Sequence, residues 1–575
     1  MRTIKTFVSG LLLSALLLLP ASVRAAELQP FFTLKASSVN TLVGVAEKIG
    51  SMSGFADTDE FKEAIKTVKS VKGFDLNGII GIAAAINSDG GISPILLLPI
   101  TDLGKAEIPS NPEIFDSIRP FLVKRGDNYE INSPFATFIA IQKKDYLVIT
   151  SEDVVDQIPA DPKKLFADLE KHTLGVKLDL EKVDFETIEA QLFGPMLFMA
   201  MMSNPEAGEQ LEAVIDLYRE LFKEFAMFSG GIAFNPRTAD IEFSGTAAPR
   251  KGSDMAKAFA AYKQQPTIFN GFRGTLGNTV FSFGDSAAMP PLSADNALLN
   301  VSSQFNQQQW ETILEGLLEQ VEMDDDTGEV TELAKKIVDS VQKIIETEQN
   351  RGSSDYAASF NTDGTLLLAF DTGSLKEIQN LVAMLVDIAE KKVAPIASAF
   401  NIDLKALVKQ DYATIEGFKV SSFRVPMERV APFIPDENAV KNLTPGAFWA
   451  VKNAGGKQAI AVAAGIDFAK AELAFTSALE KTKTSAPVQK PEGMISVQGL
   501  GKFMQQVVSP IIENSDMPNL EGAKKVFDIL AASGNDATVT MTGDVKNGKM
   551  DVTFRISGKV IEALVVIGKA AAEGL

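Results

Sequence analysis

The alternation of hydrophobic and polar positions predicts short β-strands, several of them followed by stretches in which apolar residues recur at helical spacing. One combination recurs: a strand, a polar helix cap, one or two amphipathic helices, and then a hairpin. The clearest pair compares residues 175–192 with residues 298–317, and further copies begin near residues 31 and 494. A pattern that returns at intervals predicts repeated use of one structural module.

Each copy contains a turn signal between two apolar runs, as expected for a β-hairpin. The signals are Asp89-Gly90, Asn235-Pro236, Asp363-Gly364 and Asn547-Gly548. Consecutive strands joined by tight turns pair antiparallel. The pattern therefore predicts antiparallel sheets.

These elements together indicate an α+β fold built of tandem-duplicated units. Each unit is expected to contain antiparallel β-hairpins and sheets with amphipathic helices packed on one face. We place the first half at residues 26–262 and the second at residues 297–575. Residues 263–296, rich in Gly, Pro, Ser and Asn, are expected to connect the halves.

The first 25 residues have the three-part pattern of a cleavable signal peptide. Arg2 and Lys5 precede an apolar run of about 13 residues, shorter than the ~18–20 needed to span a bilayer. Cleavage after Ala25 leaves Ala26 as the mature N-terminus; an uncleaved anchor is the alternative. No later stretch approaches that length, so we expect an exported, soluble protein of the periplasm or the exterior.

Composition narrows the possible chemistry. The chain has no cysteine and one histidine, so it lacks disulfides, a lipid-accepting thiol and the ligand set of a structural zinc site. The formal net charge is −19, and it becomes −22 when Arg2, Lys5 and Arg24 leave with the signal peptide. This acidity argues against nucleic acid and anionic membrane surfaces as partners. Phe outnumbers Tyr 37 to 6, which favours core packing over sugar-stacking platforms.

The sequence lacks a cysteine nucleophile and the constellations of histidine-based catalysis. The single histidine, His172, has no preceding G-x-S-x-G motif, and we expect a structural role for it at a helix-to-strand junction. There it would act as a cation near a helix C-terminus. No glycine-rich nucleotide fingerprint occurs, so no cofactor is predicted, and the chain is expected not to be an enzyme.

Two clusters are candidates for binding chemistry. Met196, Met199, Met201 and Met202 lie within GPMLFMAMMSNP, where we expect core packing; an apolar ligand pocket or a Cu(I) site are the alternatives. Asp324 and Asp326 offer oxygen ligands for calcium, but Gly328 comes one position too early for an EF-hand loop. An acidic, solvated connection is the expected role of that run.

The leading hypothesis is an exported, non-enzymatic envelope protein that binds or carries a hydrophobic, lipid-like molecule. The observations behind it are the duplication, the Phe-rich and Met-rich inventory and the missing catalytic constellations. An interaction or scaffold module that contacts another envelope protein is the second hypothesis. A hydrolase using dispersed carboxylates is the third.

Overall fold

The computed structural model forms two compact units. It describes residues 28–572 except 71–73, 88, 101–121, 126–127, 133–136, 204, 291–335, 338, 342, 345–346, 349, 385–403, 434–439, 441, 455–456, 485–491 and 514–519. The first unit is Met1–Ala256 with Gly548–Thr553, and the second is Lys257–Asn547 with Phe554–Leu575. The signal-peptide region and Asp324 and Asp326 lie outside the described residues.

The first unit contains an antiparallel sheet in the order β4-β5-β6-β7-β3-β2-β1-β8-β9-β10. Its strands are β1 (Pro30–Ala36), β2 (Ile80–Ile86), β3 (Ile92–Pro99), β4 (Leu122–Arg125), β5 (Asn128–Asn132), β6 (Thr137–Lys143), β7 (Tyr146–Ser151), β8 (Leu174–Asp179), β9 (Phe225–Phe234) and β10 (Ile241–Pro249).

The core of the first unit lies on one face of this sheet, where every second residue of β1 and β2 is buried. Two 3-10 segments, Glu152–Gln157 and Pro162–Leu169, contribute Val154 and Phe166 to that core. The Phe166 ring lies directly on Gly81 of β2, because a Cβ added there would be 2.3 Å from the ring Cζ. This glycine therefore sets how closely the covering segment approaches the sheet.

The helices of the first unit lie between β1 and β2, between β8 and β9, and after β10. They are α1 (Val39–Ser53), α2 (Asp59–Lys69), α3 (Phe185–Ile188), α4 (Gly194–Ser203), α5 (Pro205–Glu224) and α6 (Asp254–Ala261), of which the last crosses the unit boundary. Ser38 and Thr58 cap α1 and α2 by accepting hydrogen bonds from backbone N–H groups of the first turn.

The second unit has a sheet in the order β15-β16-β17-β18-β14-β13-β12-β19-β20, again antiparallel, with β11 beside one end of β12. Its strands are β11 (Lys263–Gln264), β12 (Thr279–Ala288), β13 (Ser353–Asn361), β14 (Leu366–Asp371), β15 (Val408–Ile415), β16 (Phe418–Arg424), β17 (Gly446–Ala454), β18 (Lys457–Gly465), β19 (Glu492–Ser496) and β20 (Thr538–Lys546), and β21 (Lys549–Ile556) follows the Asn547-Gly548 turn.

Small residues on the strands bring helix and loop close to the sheet in the second unit. Its helices are α7 (Met427–Val430), α8 (Phe468–Glu480), α9 (Val497–Phe503), α10 (Ser509–Glu513), α11 (Leu520–Ala531) and α12 (Gly558–Ala572). Phe475 of α8 and Phe272 pack over the strand alanines Ala369, Ala461 and Ala463 in one buried cluster. Alanine on the strands leaves room for aromatic rings on the covering layer.

The predicted α+β class with antiparallel pairing is confirmed. Hairpins form at three of the predicted turn signals, Asp89-Gly90, Asn235-Pro236 and Asp363-Gly364. At the fourth, Asn547 and Gly548 both have positive φ, the conformation that favours Asn-Gly in two-residue hairpin loops. The 263–296 segment, expected to be a connection, contains β12, a strand paired on both sides within the second sheet.

Candidate functional site

The methionine cluster lies on a helix of unusual geometry in the first unit. Helix α3 starts at Phe185 and passes through a π-helical turn, Glu189–Phe193, into α4. Asp184 caps the start by accepting a 2.7 Å hydrogen bond from the N–H of Thr187, which also holds the pKa of its carboxyl below the usual value. π-helical turns often occur at functional sites, because one extra residue redirects the side chains that follow.

The four methionines are exposed, so our expectation that they fill the core is wrong. Met196, Met199, Met201 and Met202 are 45–75% exposed, and Phe198 between them is 67% exposed. On its inner side α4 packs against α5, where Met201 lies over Gly208 at a distance that a Cβ there would not tolerate. An apolar stripe predicts burial only when a neighbour covers it, and α4 carries more apolar residues than its contact with α5 covers.

Aromatic rings join the base of α4 to α5. Phe193 stacks on Tyr218 with 5.7 Å between ring centroids, and Phe185 meets Phe222 edge to face at 5.2 Å. The Arg219 guanidinium lies 5.3 Å from the centre of the Phe185 ring and forms ion pairs with Glu189 and Asp216. These contacts hold the helix pair together in addition to the packing of Met201 on Gly208.

A cavity of about 970 Å³ opens beside this base. Five of its lining residues are apolar and eight are charged: Ile86, Leu180, Val183, Phe185 and Phe222, and Glu181, Lys182, Asp184, Glu186, Glu189, Arg219, Lys223 and Arg250. The volume lies at the upper end of the range for small-molecule sites, but the lining carries more charged side chains than the mostly apolar walls of such sites. The same helical segment thus lines a cavity at its start and exposes methionines at its end.

His172 is buried and takes part in packing. It is 3% exposed and lies between the 3-10 segment Pro162–Leu169 and β8, as the sequence predicted. Burial, and then the positive charges of Lys171 and Lys35, lower the pKa of its imidazole, so His172 is not the cation expected at this helix end. Lys35 takes that place: its Nζ donates hydrogen bonds to the carbonyl oxygens of Leu169 (3.1 Å), Glu170 (3.2 Å) and His172 (2.8 Å).

Two carboxyl groups of the second unit were not singled out by sequence. Burial raises the pKa of Asp285 and of Asp355, the two acidic side chains with a raised pKa among the described residues. Asp355 has a structural explanation, because its oxygens accept hydrogen bonds from the Thr267 hydroxyl (2.6 Å) and the Ile268 N–H (3.1 Å). In the described part of the chain, no group of three or more His, Cys, Asp or Glu side chains is placed to hold a metal ion.

Phe185, Phe198 and Phe222 are the site residues that sequence reasoning missed. A weak signal was present in VDFETIEAQLF, an N-cap followed by a helix that runs into the methionine stretch. The convergence of Phe185 and Phe222 depends on the pairing of α3 with α5, which local pattern does not reveal.

Comparison with known proteins gives no family for this chain. A scan against protein-family models, a search of curated proteins and a search of solved structures each found no match. Of the helices that the structure describes, none combines the length and apolar character required to cross a membrane.

Proposed function

We propose that this chain is a non-enzymatic, exported binding protein or carrier for hydrophobic, lipid-like molecules. The observation that carries the proposal is the exposure of Phe198 and four methionines on α4, next to a cavity whose lining includes the rings of Phe185 and Phe222 among charged side chains. Burying the exposed part of each such side chain against a ligand contributes roughly 1 kcal/mol. Flexible thioethers adapt to ligands of different shape, which suits a carrier.

Export is part of this proposal, supported by the signal-peptide pattern of residues 1–25. Outside the cytoplasm, the exposed apolar side chains of α4 would be available to lipid-like molecules.

We also propose that the chain arose by tandem duplication. In the first unit β4-β5-β6-β7-β3-β2-β1-β8-β9 are neighbours in that order, and in the second β15-β16-β17-β18-β14-β13-β12-β19-β20 follow the same scheme. The helical segment after β8 in the first unit and the one after β19, the corresponding strand of the second, each contain a five-residue π-helical turn, Glu189–Phe193 and Met504–Val508. Two independent features shared in chain order support one ancestral unit.

A second candidate function is an interaction module, with α4 binding an apolar helix face of another envelope protein. The same exposed side chains favour it. The hydrolase hypothesis has less support, because Asp355 is engaged in structural hydrogen bonds.

The test compares the full chain with the double variant Phe198→Ser, Met202→Ser, which changes the two most exposed side chains of α4. Binding of the apolar fluorophore N-phenylnaphthylamine is expected to weaken about tenfold or more, because two apolar contacts are lost. The matched control is Leu473→Ser on α8, where the leucine is 73% exposed. The free energy of unfolding of both variants should lie within about 0.5 kcal/mol of that of the parent.

Mass spectrometry of organic extracts from protein purified out of its native envelope supplies the second measurement. A co-purifying apolar molecule that is lost in the double variant supports the carrier. Equal fluorophore binding by parent and double variant contradicts it, and a co-purifying protein in place of an apolar molecule favours the interaction module.

A further inference from the structure

A glycine on the second sheet leaves a notch in a row of large apolar side chains. Phe283 of β12 pairs with Gly493 of β19, which in turn pairs with Met541 of β20. A Cβ added at Gly493 would lie 3.9 Å from the Phe283 Cβ and 3.8 Å from the Met541 Cβ, so all three positions share one face. Phe283 is 42% exposed and Met541 54%, so this face is open at the notch.

The notch over Gly493 forms a trough between Phe283 and Met541, and this trough has the width of a hydrocarbon chain. Phe283 and Met541 stand on strands two spacings apart, about 9.5 Å. A chain whose carbon atoms keep about 3.5–4.0 Å from each wall fits between them. Ile495, two residues beyond Gly493 on the same face and 50% exposed, closes one end of this trough.

Stacked rings stiffen the Phe283 wall. The Phe281 ring stacks on Phe283 (6.2 Å between centroids) and on Phe360 (5.9 Å), and Phe360 meets Phe503 of α9 edge to face at 4.9 Å. A wall fixed in this way loses little conformational entropy when a ligand settles against it.

The end of the trough away from Ile495 is polar. Asp285 lies two residues after Phe283 on the same face of β12 and pairs with Tyr356 of β13, whose ring lies 6.1 Å from that of Phe283. The Asp285 Oδ1 is buried and accepts no hydrogen bond within the described part of the chain. A buried carboxylate oxygen without a donor is costly, and a ligand that supplies one removes that cost.

The charge of this end selects the head group. The Arg273 guanidinium approaches β12 from the opposite face, at Gly284, where an added Cβ would lie 2.8 Å from its Nε. Burial raises the pKa of Asp285, and the charge of Arg273 acts in the opposite direction from across the strand, favouring the carboxylate. A head group with only acceptor oxygens would meet the carboxylate unfavourably, whereas an ammonium brings three donors and the opposite charge. The net charge of −19 also draws cations toward the chain.

We propose that Gly493 is the floor of a second binding site, specific for a single-chain amphiphile with a primary ammonium head. The hydrocarbon chain lies over Gly493 between Phe283 and Met541, and the ammonium donates to Asp285 beside Tyr356. This site lies wholly in the second unit and does not depend on α4.

The test measures binding of octylammonium, octanol and octanoate by calorimetry at neutral pH to the full chain. All titrations use the Phe198→Ser, Met202→Ser background, so that α4 does not contribute. Octylammonium is expected to bind about tenfold more tightly than octanol, the value of one charge-assisted hydrogen bond, and octanoate most weakly.

Two variants separate the chain from the head group. Gly493→Val fills the trough, and its Cβ meets neighbours only at ordinary contact distances, so the sheet is retained and binding of all three ligands falls about tenfold or more. Asp285→Asn keeps chain binding but removes the preference for octylammonium over octanol. Leu473→Ser is the control and changes neither.

The proposal is overturned if Gly493→Val binds octylammonium as the background protein does. It is also overturned if octanol or octanoate matches octylammonium in the background protein, or if none of the three ligands binds. Because α4 is already altered in these samples, each outcome is independent of the test of the proposed function.

Discussion

His172 shows at the residue scale how burial decides protonation. Its ring lies against Gly175 and Gly231, where added Cβ atoms would come within 3.3 Å of the ring Cδ2 and 2.7 Å of the ring Cγ. The nearby Lys35 ammonium, bound to three carbonyl oxygens, already supplies the positive charge at this helix end. A second charge on the imidazole would be both desolvated and repelled.

We therefore expect the protein to lose stability on mild acidification. Because the pKa of His172 is lowered in the folded chain, the unfolded chain binds the proton more readily, and the free energy of unfolding falls as the pH drops below about 6.5. The slope from one proton is at most about 1.4 kcal/mol per pH unit. Urea unfolding between pH 5 and 8, on protein without a histidine tag, measures it.

His172→Gln is the control for this pH dependence. His172 is the only histidine of the chain, and the glutamine that replaces it cannot take up the proton. The free energy of unfolding of the variant should change less with pH than that of the parent between pH 5 and 7. An unchanged slope in the variant would show that other groups, and not the imidazole, cause the acid sensitivity.

At the scale of elements, the sequence was informative where local chemistry decides the structure. The turn at Asp363-Gly364 was predictable because Gly364 supplies the positive φ that the turn requires. The exposure of Met202 was not predictable, because an apolar helix reads the same whether or not a neighbour covers it. The trough at Gly493 required the register of three strands, which no local pattern contains.

The contact between Phe166 and β2 gives a prediction about packing. Gly81→Val places side-chain atoms where the Phe166 ring lies, so we expect the free energy of unfolding to fall by about 1–3 kcal/mol. Urea unfolding followed by circular dichroism measures the change.

Gly44→Ala in α1 is the matched control, since a Cβ added there has no atom within 4 Å. It should stabilise the chain slightly, by about 0.5–1 kcal/mol, because alanine is the better helix former. Equal stability of the parent and Gly81→Val would mean that the 3-10 segment can lift off the sheet at no cost.

For the whole molecule, the mature N-terminus is the most direct prediction. Expression of the full chain in a secreting bacterial host should yield protein that begins at Ala26, lacking residues 1–25. The intact mass of the purified protein decides it, and Ala25→Arg, which removes the small residue before the cut, should block processing. A mass that includes residues 1–25 in the parent would contradict the signal-peptide interpretation.

The π-helical turn after α3 determines the direction in which the methionines of α4 point. Successive residues of an α-helix are about 100° apart, so one extra residue turns everything that follows by that angle. Gln191, inside the turn, is fixed to the β2-β3 hairpin by hydrogen bonds to the Gly90 carbonyl (3.0 Å) and from the Ile92 N–H (3.3 Å). A one-residue deletion there would rotate Met199 and Met202 by about 100° around the helix axis and leave their side-chain chemistry unchanged. The direction in which this surface faces is therefore set by the π-helical turn, whereas its apolar character is set by the residues of α4.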